Sequence, residues 1–322
     1  DQLAQVLKPD DIVWVHDYHL IPLAQALRGR GLANRIGFFL HIPLPPPEII
    51  AAMPNAENLI PSLCHYDLVG FQTDGDAANF ARYLANELGT PSHISRRVGT
   101  GERMMRIGTY PVGIETREFT RLGRRAVRTQ LVKDVAKSVP GLLMIGVDRL
   151  DYSKGLVERF RAFERLFDLF PEERNRVTLM QIAPPTRGQV AQYRALRREL
   201  EGLAGHVNGK YAEFDWVPIR YLNRTFSRNT LAGFYRLARI GLVTPLRDGM
   251  NLVAKEYVAA QDPRDPGVLI LSRFAGAAQQ LACGALMVNP YSAEDMADAI
   301  DKALRMPRAE RIERWQAMID NV

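Results

Sequence analysis

Short apolar runs rich in β-branched residues alternate along the chain with longer segments whose apolar positions recur at helical spacing, so strands and helices are predicted in turn. Asp11 to His16 (DIVWVH) reads as a buried strand, closed by Asp17-Tyr18-His19 before a Leu- and Ala-rich helix that runs to Arg30. Asn34 to His41 (NRIGFFLH) is the next strand, ending in His41 and the stretch Ile42-Pro43-Leu44-Pro45-Pro46-Pro47, whose prolines stop the strand and stiffen the loop. Helices are expected over 48–53 and 58–65, a third strand over Asp67 to Thr73 (DLVGFQT), and a helix from Asp74 to Leu88 with Asp74 as its cap. A strand over Arg103 to Pro111 completes this part, and Val112-Gly113-Ile114-Glu115 leaves it.

From Phe119 the pattern restarts. A basic helix to about Lys137 leads into the strand Gly141 to Val147 (GLLMIGV), which ends in Asp148-Arg149-Leu150-Asp151-Tyr152-Ser153-Lys154-Gly155. Val177 to Ala183 is the next strand, followed by Pro184-Pro185-Thr186-Arg187-Gly188 and a long charged helix through Leu203. A strand over Glu213 to Val217 and a helix over Asn229 to Ala238 precede the run Ile240-Gly241-Leu242-Val243. That run opens TPLRDGMNLVAKEYVAAQ, in which Leu252, Val253, Tyr257 and Val258 stripe one face of a helix expected from Met250 onward. Strands at Val268 to Ser272 and Ala285 to Asn289 and two terminal helices close the chain. Two successive βα series predict an α/β protein of two doubly wound, Rossmann-like domains, with functional groups at the strand ends facing a cleft.

With 322 residues and 47% hydrophobic content, the chain can bury two cores. Net charge is +6, but the 42 basic residues are scattered and no aromatic-interleaved basic stripe occurs, so nucleic acid is not an expected partner. An anionic small-molecule ligand accounts better for the surplus. Cys64 and Cys283, taken to lie in apolar surroundings and far apart, set neither a disulfide framework nor a metal-ligand spacing. No run approaches the roughly 18 apolar residues a membrane span needs, and no signal-peptide pattern opens the chain, so a cytoplasmic setting without membrane partners is expected.

The candidate chemistry lies at strand ends. Arg247-Asp248-Gly249 between a strand and a helix presents a carboxylate, a flexible backbone position and helix-start N–H groups, a setting for anionic or polyhydroxylated ligands. Arg149 and Lys154 flank a turn into a helix, which suits a diphosphate, although as an isolated pair they read more readily as exposed surface cations. Glu256 taken alone reads equally as a solvated helix acid paired with Lys255 or Arg273 and Asp17 equally as a helix cap, while His41 alone reads more readily as a core histidine. Neither G-x-G-x-x-G after a first strand nor G-x-x-x-x-G-K-[ST] occurs, which argues against a dinucleotide dehydrogenase and a P-loop NTPase.

Taken together, HDYHL at 16–20, FFLHIPLPPPE at 38–48, DLVGFQT at 67–73, DRLDYSKG at 148–155, QIAPPTRG at 181–188, GLVTPLRDGMNLVAKEYVAAQ at 241–261 and SRFAGAA at 272–278 resemble the trehalose-6-phosphate synthase family. These are retaining glucosyltransferases of the two-Rossmann (GT-B) fold. The resemblance implies an acceptor-side domain over 1–117 and a nucleotide-sugar donor domain over 118–322. It implies glucose transfer from UDP-glucose to glucose 6-phosphate, giving trehalose 6-phosphate and UDP, without cofactor or metal. By the same resemblance Arg149 and Lys154 hold the donor diphosphate, and Asp248 accepts hydrogen bonds from the donor glucose. Gly249, Met250, Asn251, Leu252 and Val253 line the donor site, Glu256 takes the ribose hydroxyls and Phe226 the base. Asp17 contacts the acceptor sugar, Arg187 its phosphate, and His41 lies near the reacting centre. The family's opening glycine-containing strand and phosphate-binding Arg do not precede residue 1, so the first domain is expected to be partial. A related transferase with another phosphorylated acceptor, a regulatory sugar-nucleotide-binding subunit, a GDP or ADP donor and a homo-oligomeric assembly all stay open.

Overall fold

The computed structural model describes residues 2–88, 97–100, 103–186 and 190–322. The chain divides into two compact units, Asp1–Val112 and Gly113–Val322.

The first unit holds β1 (Ile12–His16), β2 (Arg35–Phe39), β3 (Leu68–Phe71), β4 (Arg97–Thr100) and β5 (Arg103–Thr109), in the order β1-β2-β3-β5-β4. All neighbours run parallel except β4, which returns antiparallel along β5. β4 was not expected, because RVGT has no apolar run to announce it. Val13 and Val15 of β1 point into a core with Ile36, Phe38, Val69 and Phe71, while Ile12 and Trp14 on the other face are exposed. The register that pairs His16 with Phe39 brings the ends of β1 and β2 level, so His16, Asp17 and His41 emerge at one edge. The helix Asp74–Leu88 is capped by Thr73 and not by Asp74. Thr73 Oγ1 accepts the Asp76 N–H at 3.2 Å, and the Asp76 carboxylate takes the Thr73 hydroxyl and the Leu44 N–H, which pins the proline-rich loop. Asp74 is the first helical residue and exposed.

The second unit holds β6 (Leu142–Val147), β7 (Val177–Ile182), β8 (Ile219–Leu222), β9 (Ile240–Val243), β10 (Val268–Ser272) and β11 (Leu286–Val288). Their order is β11-β10-β9-β6-β7-β8 and every pairing is parallel. The chain winds outward from β6 through β7 to β8, then returns to the other side of β6 at β9. Both faces of this sheet are buried. Met144, Leu242 and Ile270 join one core with the helices Leu156–Leu169 and Ala293–Arg305, whereas Ile145, Val243 and Leu271 join another with Leu252–Ala260 and Arg308–Ile319. Helices on both sides explain why these strands read as continuous apolar runs.

Three sequence expectations change here. The basic helix before β6 is two helices, Thr116–Ala126 and Gln130–Ser138. The segment Glu213 to Val217 is a tight turn, not a strand: Glu213 and Trp216 exchange backbone hydrogen bonds, Phe214 is exposed, and pairing begins only at Ile219. Trp216 folds inward and donates to the Val177 carbonyl, so its apolar character served the core and not a ladder. Cys64 is buried, which pushes its thiol up to about 11, but Cys283 is exposed.

Gly241 leaves room for the Tyr257 ring, which lies 2.6 Å from where a Cβ would stand. Gly241→Ala is therefore expected to destabilise the second unit by about 1–3 kcal/mol, the usual cost of overpacking. Thermal denaturation should show the melting temperature falling by roughly 2–4 °C per kcal/mol, and Tyr257→Leu in the same chain should recover part of the loss.

Candidate donor and acceptor sites

In a doubly wound sheet, ligands bind beyond the carboxyl ends of the strands where the winding reverses. That reversal lies between β6 and β9, so the loops that leave these two strands form the candidate site of the second unit. The β6 loop carries Arg149, exposed, and Lys154, at the end of the single 3-10 turn Tyr152–Lys154. Asp151 caps that turn, accepting from the Ser153 N–H at 3.0 Å and the Ser153 hydroxyl at 2.9 Å. Burial opposes ionisation of Asp151, but these hydrogen bonds and the nearby Lys154 and Arg149 outweigh it and hold the carboxyl below its ordinary range. Gly155 follows in the left-handed region, φ 64°, and turns the chain into the helix Leu156–Leu169. A Cβ there would stand 2.5 Å from the Thr244 carbonyl.

The β9 loop is fixed on both flanks. Its Leu246 N–H donates to the Ser153 carbonyl at 2.8 Å, the Asp248 N–H donates to the Phe274 carbonyl at 3.1 Å, and the Asp248 carbonyl accepts from Gly276 at 3.0 Å. Within this frame Lys154 Nζ meets Asp248 Oδ2 at 2.5 Å, and Asn251 Nδ2 donates to the same oxygen at 3.1 Å. Both ionic side chains are largely shielded, at 15% and 17% exposure, so their charges are screened less than a surface pair. Asn251 adopts φ 71°, and the helix begins at Leu252, two residues later than the sequence suggested. Among the described residues, the N–H groups of Gly249, Met250 and Asn251 donate to no backbone or side-chain acceptor. The loop thus offers backbone donors to an anion and a carboxylate to hydroxyl groups, with Lys154 and Arg149 beside them. Leu252 and Val253 occupy the first turn of the helix and are partly exposed.

Glu256, one turn on, is mostly buried, and burial raises its carboxyl above the ordinary range. Its neighbours are the Arg228 guanidinium and the Tyr235 hydroxyl, which sits beside it without closing a hydrogen bond of normal geometry. Lys255 is buried and Glu256 is no solvated helix acid. Phe226 stands edge-on to Phe234 at 5.3 Å with the Arg224 guanidinium 4.7 Å above its ring, an aromatic face of the kind a base can use.

In the first unit Asp17 sits at φ 66°, an unusual conformation for a residue with a side chain, held by its N–H to the Phe39 carbonyl at 2.8 Å. Its carboxylate accepts from the Tyr18 N–H at 3.2 Å and so caps the short turn after β1. His41 is partly exposed, its Nε2 2.9 Å from His16 Nδ1, with the two rings stacked at 5.2 Å. His16 was not singled out by sequence, since its partner lies on another strand. Arg187 lies outside the described residues. Among the described residues no cluster of three or more His, Cys, Asp or Glu side chains could hold a metal ion, and no helix is long and apolar enough to cross a membrane.

A doubly wound parallel sheet whose reversal point brings Lys154 against Asp248 beside free backbone donors defines a Rossmann-type α/β protein with a polar crevice at its strand ends. Residues 1–322 match glycosyltransferase family 20 over their whole length. A trehalose-6-phosphate synthase of Sinorhizobium fredii is 53% identical over 322 residues, covering 100% of this chain and 69% of the relative. A solved UDP-forming α,α-trehalose-phosphate synthase from Burkholderia xenovorans, in complex with glucose-6-phosphate, is 50% identical with a TM-score of 0.95, covering 99% of this chain and 72% of its own. A solved E. coli chain bound with UDP-2-fluoro glucose is 47% identical with a TM-score of 0.92, covering 99% of this chain and 71% of its own. The chain belongs to glycosyltransferase family 20.

Gly276 packs against the Gly249 carbonyl so closely that a Cβ would stand 1.8 Å from its oxygen. Gly276→Ala should therefore displace the β9 loop at a cost of about 1–3 kcal/mol. Hydrogen exchange should show faster exchange of the Asp248 amide with β6 protection retained, whereas unchanged exchange would mean that the contact does not hold the loop.

Proposed function

We propose that this chain is a retaining glucosyltransferase that moves glucose from UDP-glucose to glucose 6-phosphate, giving trehalose 6-phosphate and UDP. The observation that carries the reading is the meeting of Lys154, Asp248 and the free N–H groups of 249–251 at the reversal point of the second sheet, in a chain of family 20. Relatives described as bound to glucose-6-phosphate and to a UDP-glucose analogue support the two substrates.

In this reading Arg149, Lys154 and the backbone donors of 249–251 neutralise the diphosphate and stabilise the charge that grows on it as the glucose C1–O bond breaks. Two side-chain cations so placed supply the role that a divalent ion plays elsewhere. Asp248 accepts the glucose hydroxyls, Glu256 the ribose hydroxyls, and Phe226 faces the base. Asp17 holds the acceptor sugar, Arg187 its phosphate, and His41 orients hydroxyls near the reacting carbon. The acceptor hydroxyl oxygen bonds to C1 on the face the phosphate leaves, and the departing phosphate oxygen takes the hydroxyl proton. Anomeric configuration is thereby retained without a carboxylate nucleophile. The donor is soluble and no membrane contact is needed, which fits a cytoplasmic enzyme.

The direct test is UDP release from UDP-glucose with and without glucose 6-phosphate, beside titration of UDP. Release that requires the acceptor supports the transferase, and release that ignores it would sink the assignment. Lys154→Ala should weaken UDP binding and turnover together, because it removes a charge on the diphosphate. Asp248→Ala should cut turnover far more than UDP affinity, since UDP lacks the sugar; equal losses of UDP affinity in the two variants would refute this division.

The raised Glu256 carboxyl adds a pH dependence. Ribose hydroxyls donate to the carboxylate, so binding favours its ionised form and releases a proton where the free protein still holds one. UDP affinity should fall as pH drops through the Glu256 pKa of the free protein, by at most about tenfold per pH unit. Calorimetry in buffers of different ionisation enthalpy would detect the released proton, and Glu256→Gln should abolish the dependence. A wild-type affinity flat across that range would remove Glu256 from the ribose site.

A further inference from the structure

Arg159 is fully buried in the helix Leu156–Leu169 and reaches the ends of three neighbouring strands. Its Nη1 donates to Asp148 Oδ2 at 2.7 Å and to Gln181 Oε1 at 2.8 Å, and its Nε donates to Thr244 Oγ1 at 3.1 Å. Asp148 follows β6 and immediately precedes Arg149, Gln181 is the penultimate residue of β7, and Thr244 follows β9 and opens the loop to Asp248. The sheet makes room for this contact: a Cβ on Gly146 would stand 2.4 Å from Gln181 Oε1 and 2.5 Å from Arg159 Nη1.

Stability alone does not account for such a group. Burying a guanidinium and a carboxylate costs more desolvation than their attraction commonly returns, and apolar residues of the same volume are often as stable or more so. What apolar side chains cannot do is fix direction. A planar guanidinium that donates to three acceptors sets the mutual position of the strand ends that hold them. Asp148 also lies within electrostatic reach of Lys154 and Asp248, so the buried pair and the site above it form one alternating series of charges.

We propose that Arg159 is a positioning residue for the donor site. It holds the β6 loop, with Arg149 and Lys154, at a fixed register against the β9 loop, with Asp248, and thereby sets the spacing that diphosphate and sugar hydroxyls require. The proposal rests on the donor-site reading above, since it concerns the placing of the groups that reading assigns.

The test separates direction from charge. Arg159→Lys keeps a cation beside Asp148 but lacks the planar fork. Arg159→Met combined with Asp148→Asn removes both charges and so leaves no lone buried ion. Each is measured for melting temperature, UDP affinity by titration, and the KM values of UDP-glucose and glucose 6-phosphate. Both are expected to melt near the parent chain, to lose roughly 10- to 100-fold in kcat/KM for UDP-glucose, the scale set by small misplacements of reacting groups, and to keep the KM of glucose 6-phosphate. If the double variant melts near the parent and matches its UDP affinity and donor KM, Arg159 serves only to neutralise Asp148 and the proposal is wrong. Should these variants fail to fold, Thr244→Val removes one acceptor while keeping shape. A severalfold rise in its UDP dissociation constant supports the proposal, and parental affinity overturns it. A parent chain that binds no UDP would instead defeat the donor-site reading, and the proposal with it.

Discussion

The segment Thr244 to Asn251 is held between two neighbouring loops by backbone hydrogen bonds at both flanks, and the chemistry of the second unit depends on that hold. Leu246 leans on the loop after β6, and Asp248 and Met250 lean on the loop after β10. Glycines at 155 and 276 permit approaches that any side chain would block. With the backbone fixed in this way, the Asp248 carboxylate has little freedom except to face Lys154 and Asn251. A loop so tied loses little entropy when a ligand arrives, which is the practical meaning of a preorganised site.

Beneath that loop the sheet supplies rigidity by burial on both faces. Alternate residues of β6, β9 and β10 feed two separate cores, so neither strand can shift by a residue without exchanging its packing partners for those of the other face. Among the polar groups buried in this interior, Arg159 donates to Asp148, Gln181 and Thr244 at the strand ends.

The first unit solves a similar problem differently. Its β1 is buried on one face only, with Val13 and Val15 inward, and Asp17 breaks from the strand in a backbone conformation few residues other than glycine accept. The Asp17 carboxylate then caps the turn that the strained backbone begins, so the structural role offered by sequence is real and coexists with exposure at the strand end. His16 and His41 meet because β1 and β2 pair in register, a consequence of strand pairing and not of anything local to either residue.

Much of this was legible in the chain itself. Continuous apolar runs marked every parallel strand of the second sheet except β8, and Lys154 and Asp248, beyond the ends of two of those strands, are in contact in the fold. Local signals failed where a side chain's destination was distant: Trp216 and Phe214 imitate a strand but belong to a turn, and Asp74 imitates a cap that Thr73 provides. Arg159 left a faint mark as a charge on the apolar face between Leu156 and Phe163, yet its partners sit on three strands. Sequence by itself determined the alternation of elements and the family, because periodicity and ordered motifs are written along one dimension. Tertiary structure alone decided strand order, the reversal between β6 and β9, and the meeting of Lys154 with Asp248 across 94 positions, because parallel pairing is non-local and no residue encodes its neighbour on another strand.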